Sequence, residues 1–149
     1  MKLVQLERRP EEILHQLFDV WEKSVRATHL FLSENDVCRL SPLIKPALSE
    51  IEILVIARNG QDEPAGFMGI GGEKLEMLFI HPDFRGKGLG RQMLETAIRE
   101  HHVRRLDVNE QNPQARGFYE HMGFRVESRS EVDDFGNNFP ILHMVWKAK

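Results

Sequence analysis

Residues Leu78 to Met93 read LFIHPDFRGKGLGRQM, and they restrict the fold of this chain more than any other segment. An apolar run from Met77 to Ile80 has strand character and stops at Pro82. From Leu89 onward the apolar positions Met93, Leu94, Ala97 and Ile98 recur at helical spacing. Between the two lies Arg85-Gly86-Lys87-Gly88-Leu89-Gly90, so a glycine-rich turn joins a strand to a helix N-terminus. Alternate glycines let the backbone approach a ligand with no Cβ in the way. The free N–H groups and the positive end of the helix dipole favour an anion there, phosphate above all. Arg85, Lys87 and Arg91 add positive charge at the same point. These are the parts of a pyrophosphate cradle.

Two common phosphate loops do not fit. The dinucleotide fingerprint needs G-x-G-x-x-G in an opening βαβ unit, whereas these glycines run G-x-G-x-G in mid-chain. The P-loop needs G-x-x-x-x-G-K-S/T, which is absent. The remaining pattern, Arg85-x-x-Gly88-x-Gly90 after a strand ending His81-Pro82, resembles the acetyl-CoA loop of the GNAT superfamily of N-acetyltransferases. The same family's asparagine–tyrosine helix is matched by Asn109-x-x-Asn112-x-x-Ala115-x-x-Phe118-Tyr119-x-x-x-Gly123-Phe124. Within the superfamily, Arg26-Ala27-Thr28-His29, Val108 to Asn112 and Ser130 to Asp134 resemble the small bacterial YjaB-type acetyltransferases.

The rest of the chain is consistent with that resemblance. Leu3 to Arg8 reads as a short strand. A helix follows, with Pro10 in its first turn and Ile13, Leu14, Leu17, Phe18, Trp21 and Val25 on one stripe. Ser33 caps a second helix, which Pro42 and Pro46 are expected to interrupt or split. Ile51 to Arg58 is a strand buried on both faces, and Ala65 to Ile70 returns antiparallel to it. Leu75 to Ile80 feeds the phosphate loop, the next helix runs from Leu89 to about His101, and Arg105 to Asn109 is another strand. Asn112, Pro113 and Gly123 bracket a short helix as N-cap, N1 and C′ residues. Phe124 to Val132 and Ile141 to Trp146 then form a hairpin. The resemblance implies an α/β (α+β) fold in one domain, residues 1–149. Its mixed, mostly antiparallel sheet would have six to seven strands and helices on both faces.

Acetyl transfer from a thioester to an amine needs the donor held, its carbonyl polarised, the amine neutral and the leaving thiolate protonated. The resemblance assigns donor holding to Arg85, Gly86, Lys87, Gly88, Leu89, Gly90 and Arg91, with Asn109 and Asn112 beside the pantetheine arm. It also implies that backbone N–H groups near Phe79 and Ile80, unpaired where two strands splay, serve the carbonyl oxygen. A lysine-like amine has a pKa of about 10.4, so fewer than about one in a thousand is neutral at pH 7 and a base is required. Glu76 is the candidate, as the one carboxylate in an apolar strand, expected on the face opposite Leu75, Met77 and Phe79. The alternative is a half-exposed glutamate paired with Lys74. Tyr119, a phenol with a pKa of about 10, stays protonated and can donate to the thiolate; the alternative is a core tyrosine with a tethered hydroxyl. Trp21, Ser24, Thr28 and His29 lie where the family builds the acceptor site, and His29 is a second candidate base. Glu131, Asp133 and Asp134 can attract a cationic acceptor from the far rim.

Composition excludes other classes. A net charge of −3 gives no case for nucleic acid as the main partner, and no apolar run approaches the about 20 residues needed to span a bilayer. The N-terminal residues are charged too soon for a signal peptide, which points to the cytoplasm. Cys38 excludes an internal disulfide and reads as a buried small hydrophobe with no base beside it, so direct attack in a ternary complex is expected over an acetyl-enzyme. No histidine shows zinc-ligand spacing, so no metal is expected. Acetyl-CoA is the expected donor and a small-molecule or protein amine the acceptor; monomer and homodimer both remain open. The rival reading is a CoA-binding sensor or interaction module without turnover.

Overall fold

The computed structural model describes residues 1–147. In chain order it contains β1 (Lys2–Gln5), α1 (Glu11–Thr28), α2 (Glu34–Glu50), β2 (Ile53–Arg58), β3 (Pro64–Gly71) and β4 (Lys74–Ile80). A 3-10 turn (Pro82–Phe84) leads to α3 (Leu89–Glu100), β5 (Arg105–Asn109), α4 (Pro113–His121), β6 (Phe124–Ser130) and β7 (Ile141–Trp146). The strands form one sheet in the order β1-β2-β3-β4-β5-β7-β6. Among the described residues only β4 and β5 pair in parallel, with α3 as the crossover that a parallel pair requires. The expected mixed, mostly antiparallel sheet is therefore present.

The continuous apolar run of β2 explains the layering. Leu54 and Ile56 pack with Phe67 beneath Leu17, Trp21 and Leu48 of α1 and α2. Their neighbours Val55 and Ala57 face the other way, with Met68, Met93 and Leu94 on the α3 side. Helices thus cover both faces. Among the described residues, no helix is long and apolar enough to cross a membrane.

Three local expectations are corrected. β1 is shorter than Leu3 to Arg8, because Arg9 turns away to cap α2, donating to the carbonyls of Leu48 and Ser49 at 2.9 and 3.2 Å. α2 is one unbroken helix despite Pro42 and Pro46. The two prolines are four residues apart on the exposed side, in line with exposed Cys38, so water can reach the carbonyls that lose their N–H partners. A capping box between Ser33 and Asp36 starts this helix firmly. Cys38 is exposed rather than buried, because it belongs to that same solvent stripe.

Candidate active site

β4 and β5 pair over two positions only, Lys74↔Arg105 and Leu75↔Leu106, and then diverge. The divergence follows a bulge in β4: Ile70 pairs with Leu75 but Gly69 pairs with Met77, leaving Glu76 without a partner. This bulge breaks the simple alternation expected from the sequence. Leu75 joins the α3-side core with Leu78 and Ile80, while Met77 and Phe79 turn to the α1 side. Glu76 projects at the break, its side chain 41% exposed and 3.8 Å from Lys74 Nζ.

The splay leaves backbone donors free. His81 N–H donates to Ala65 C=O at 2.8 Å, so by alternation Phe79 also directs its N–H toward β3. Ile80 and Leu78 point theirs into the opening, where β5 no longer pairs. Of Phe79 and Ile80, Ile80 is therefore the one whose N–H is directed into the opening.

The glycine-rich turn follows directly. Gly86 and Gly88 hold φ of +74° and +80°, left-handed values that explain why glycine is needed at both. Gly88 is the N-cap of α3 and no side chain caps that end. The N–H groups of Leu89, Gly90 and Arg91 occupy the first turn, ahead of the first internal bond from Gln92 to Gly88 at 3.1 Å. At Gly90 a Cβ would lie 3.2 Å from Ile80 Cδ1 and 3.5 Å from Phe118, so glycine lets α3 sit against β4 and α4. An uncapped helix start beside exposed Arg85 and Lys87 fits a diphosphate. Arg91 is committed to Glu95 at 2.8 Å.

α4 forms the opposite wall. Asn112 Oδ1 accepts the Ala115 N–H at 3.2 Å, so it is the N-cap that the sequence indicated. Phe118 and Tyr119 both pack toward the α3-side core. Burial alone pushes the Tyr119 phenol up to about 12, and no hydrogen bond shares in that shift. A cavity of about 500 Å³ runs between this helix and the turn, with Ile80, Gly88, Asn109, Asn112 and Tyr119 in its walls.

A second cavity of about 250 Å³ lies on the α1 side. His29, Glu76, Phe79, Asp107 and Asn109 line both cavities, which makes the splay their shared wall. Trp21 is only 3% exposed and forms the floor of the inner cavity as part of the core. Thr28 Oγ1 donates to Ser24 C=O at 2.8 Å and lies 2.8 Å from His29 Nδ1. Burial, with Arg85 second, pushes the His29 imidazole down to about 4, so it is neutral at pH 7 and a weak base.

Sequence reasoning missed a chain of polar groups here. Lys74 Nζ donates to Asp107 Oδ2 at 2.8 Å, Asp107 Oδ1 lies 2.7 Å from His143 Nδ1, and His143 Nε2 lies 2.6 Å from Ser130 Oγ. Burial pushes the Asp107 carboxyl up, but its bonds with Lys74 and His143 outweigh this and hold it below the usual value. The detectable signal was close to the one used for Glu76: a single carboxylate, Asp107, between the apolar Leu106 and Val108 of the strand RLDVN.

A parallel splay thus lies beside an uncapped, glycine-led helix and faces the tyrosine of α4. Residues 49–126 match the acetyltransferase (GNAT) domain, and the chain belongs to this family of N-acetyltransferases. It is 42% identical over 144 residues to the peptidyl-lysine N-acetyltransferase YjaB of Salmonella typhimurium strain LT2, covering 97% of this chain and 99% of that protein. The solution structure of apo YjaB from Escherichia coli, 40% identical, matches with a TM-score of 0.86 over all of both chains. The PaiA N-acetyltransferase of Thermoplasma acidophilum, solved with coenzyme A, shares the fold at a TM-score of 0.68 and 22% identity, covering 98% of this chain and 100% of that one.

Proposed function

We propose that this enzyme acetylates lysine side chains of proteins, with acetyl-CoA as donor, by direct attack in a ternary complex within a single cytoplasmic domain. The observation that carries the reading is the splay itself, which joins the cavity beside the glycine-rich turn to a carboxylate-lined one. Bound acetyl-CoA would supply the activated acetyl group. The N–H groups from Gly86 to Gly90 would hold its diphosphate, with Arg85 and Lys87 adding charge. Ile80 N–H would donate to the carbonyl oxygen as negative charge develops there.

Tyr119 would protonate the departing thiolate. Burial keeps its phenol protonated at neutral pH, and no hydrogen bond contributes to that shift. Glu76 is the proposed proton acceptor for the incoming ammonium, directly or through water. Its pairing with Lys74 is long, and Lys74 makes the shorter bond with Asp107. The lysine acceptor is supported by the 42% identical relative, named a peptidyl-lysine N-acetyltransferase, and by the acidic lining of the inner cavity.

Calorimetric titration with acetyl-CoA and CoA, side by side, followed by mass analysis of a lysine peptide incubated with acetyl-CoA, tests this. Micromolar binding of both and a gain of one acetyl group support it. Binding without transfer to any amine would restore the sensor reading, and no binding would remove both.

A further inference from the structure

The inner cavity opens between the loop after α1 (His29–Ser33) and the loop joining β6 to β7 (131–140). Four carboxylates line it, from Glu76, Asp107, Asp133 and Asp134, against the single ammonium of Lys74. Around this acidic centre the two loops present bulky apolar groups. Phe31 and Phe139 meet edge to face at 5.9 Å and bridge the loops. Leu30 is 81% exposed and Phe135 69% exposed, while Val132 adds a further apolar surface.

The exposure of Phe135 is built in. Asp133 Oδ1 accepts the N–H groups of Phe135 at 3.0 Å and Asn137 at 2.8 Å, and its other oxygen takes Asn137 Nδ2 at 3.2 Å. Gly136 at φ +79° completes this turn. Asp133 thus fixes the turn through one hydrogen bond with Phe135 and two with Asn137, and Phe135 stands exposed at the cavity's edge. Exposed apolar groups rimming a charged recess mark a surface that another molecule covers.

We propose that this rim reads the residues flanking the acceptor lysine: it takes an extended segment of another protein whose lysine has a large apolar residue within two positions, and rejects acidic flanks. The inference rests on the protein-lysine reading above. The lysine's charge complements the acidic centre, and the flanking apolar side chain covers Phe135 and Leu30. An aspartate in that position would meet the excess carboxylates and be repelled.

The test uses three peptides that differ only beside the lysine, carrying Phe, Gly or Asp, with acetyl transfer followed by thiol release. Covering a large apolar side chain even partly is worth about tenfold in affinity, so KM should rank Phe below Gly by about that factor, and Gly below Asp. In Phe135→Ser the Phe-to-Gly ratio should fall toward one, with calorimetric affinity for CoA confirming an intact fold. Equal KM for all three peptides, or a ratio that survives both Phe135→Ser and Leu30→Ser, overturns the inference while leaving lysine acetylation standing. Turnover of a small amine with no peptide acetylated overturns the protein-acceptor reading and this inference together.

Discussion

The ammonium of Lys74 lies 2.8 Å from Asp107 and 3.8 Å from Glu76, so one cation divides itself unequally between the carboxylates on the two sides of the splay. Asp107 takes the larger share and leaves Glu76 the freer group. Asp107→Asn keeps the shape but removes the stronger acceptor, and Lys74 is expected to turn to Glu76. Activity should fall as Glu76 becomes better paired and less free to take a proton. Stability should drop by about 1 kcal/mol, a figure already reduced for solvent screening of a half-exposed pair. The folded carboxyl of Asp107 sits below its ordinary value of 3.8, so its stabilisation is present above that value and lost as pH falls through the lower folded one. Chemical denaturation of both proteins at pH 7 and pH 3 should therefore show a gap that narrows in acid.

Tyr119→Phe removes one hydroxyl from a ring that otherwise keeps its packing beside Phe118 and Phe124. With the proposed proton donor gone, kcat should fall about a hundredfold or more, while CoA affinity stays close to that of the wild type. Single-turnover acetylation and calorimetry measure the two separately. Undiminished turnover would remove Tyr119 from the chemistry.

Gly88 is constrained by conformation rather than space, since nothing lies within 4 Å of where its Cβ would be. A β-branched residue at φ +80° costs about 1–3 kcal/mol in strain, and relaxing it turns the N–H groups of the α3 start away from their common point. Gly88→Val should weaken CoA binding at least tenfold and lower the melting temperature; Gly60→Val, in open space without positive φ, should do neither.

The readable part of the site was the part that is contiguous in sequence. Arg85 to Gly90 carries its turn chemistry in its glycines, and Asn112-Pro113 carries its own helix start. The bulge at Glu76 was hidden because alternation is a rule about regular strands, and a bulge is visible only as a pairing with β3. The Asp107–His143–Ser130 chain was hidden for a similar reason. Its members come from β5, β7 and β6, and only the pairing of β7 with both neighbours brings them together. Each proline alone predicts a break in α2; their shared exposed side appears only once the helix is placed. Cys38 was misplaced for the same reason.

His29 supplies a pH test that needs no substrate. Its folded imidazole titrates near 4 because burial, and then Arg85, disfavour the cation, whereas an unfolded histidine titrates near 6.5. Between these values the unfolded chain binds the extra proton, so stability falls as pH drops from 6.5 toward 4 and is unaffected by this residue above 6.5. The full difference is about 3 kcal/mol on an order-of-magnitude scale. His29→Gln retains a polar group beside Thr28 and has no proton to gain. Urea unfolding from pH 7.5 to pH 4 should show a steeper decline for the wild type than for the variant, with the curves separating below about pH 6.5. Parallel curves would mean that His29 carries its charge in the folded protein, and would return it to contention as the base.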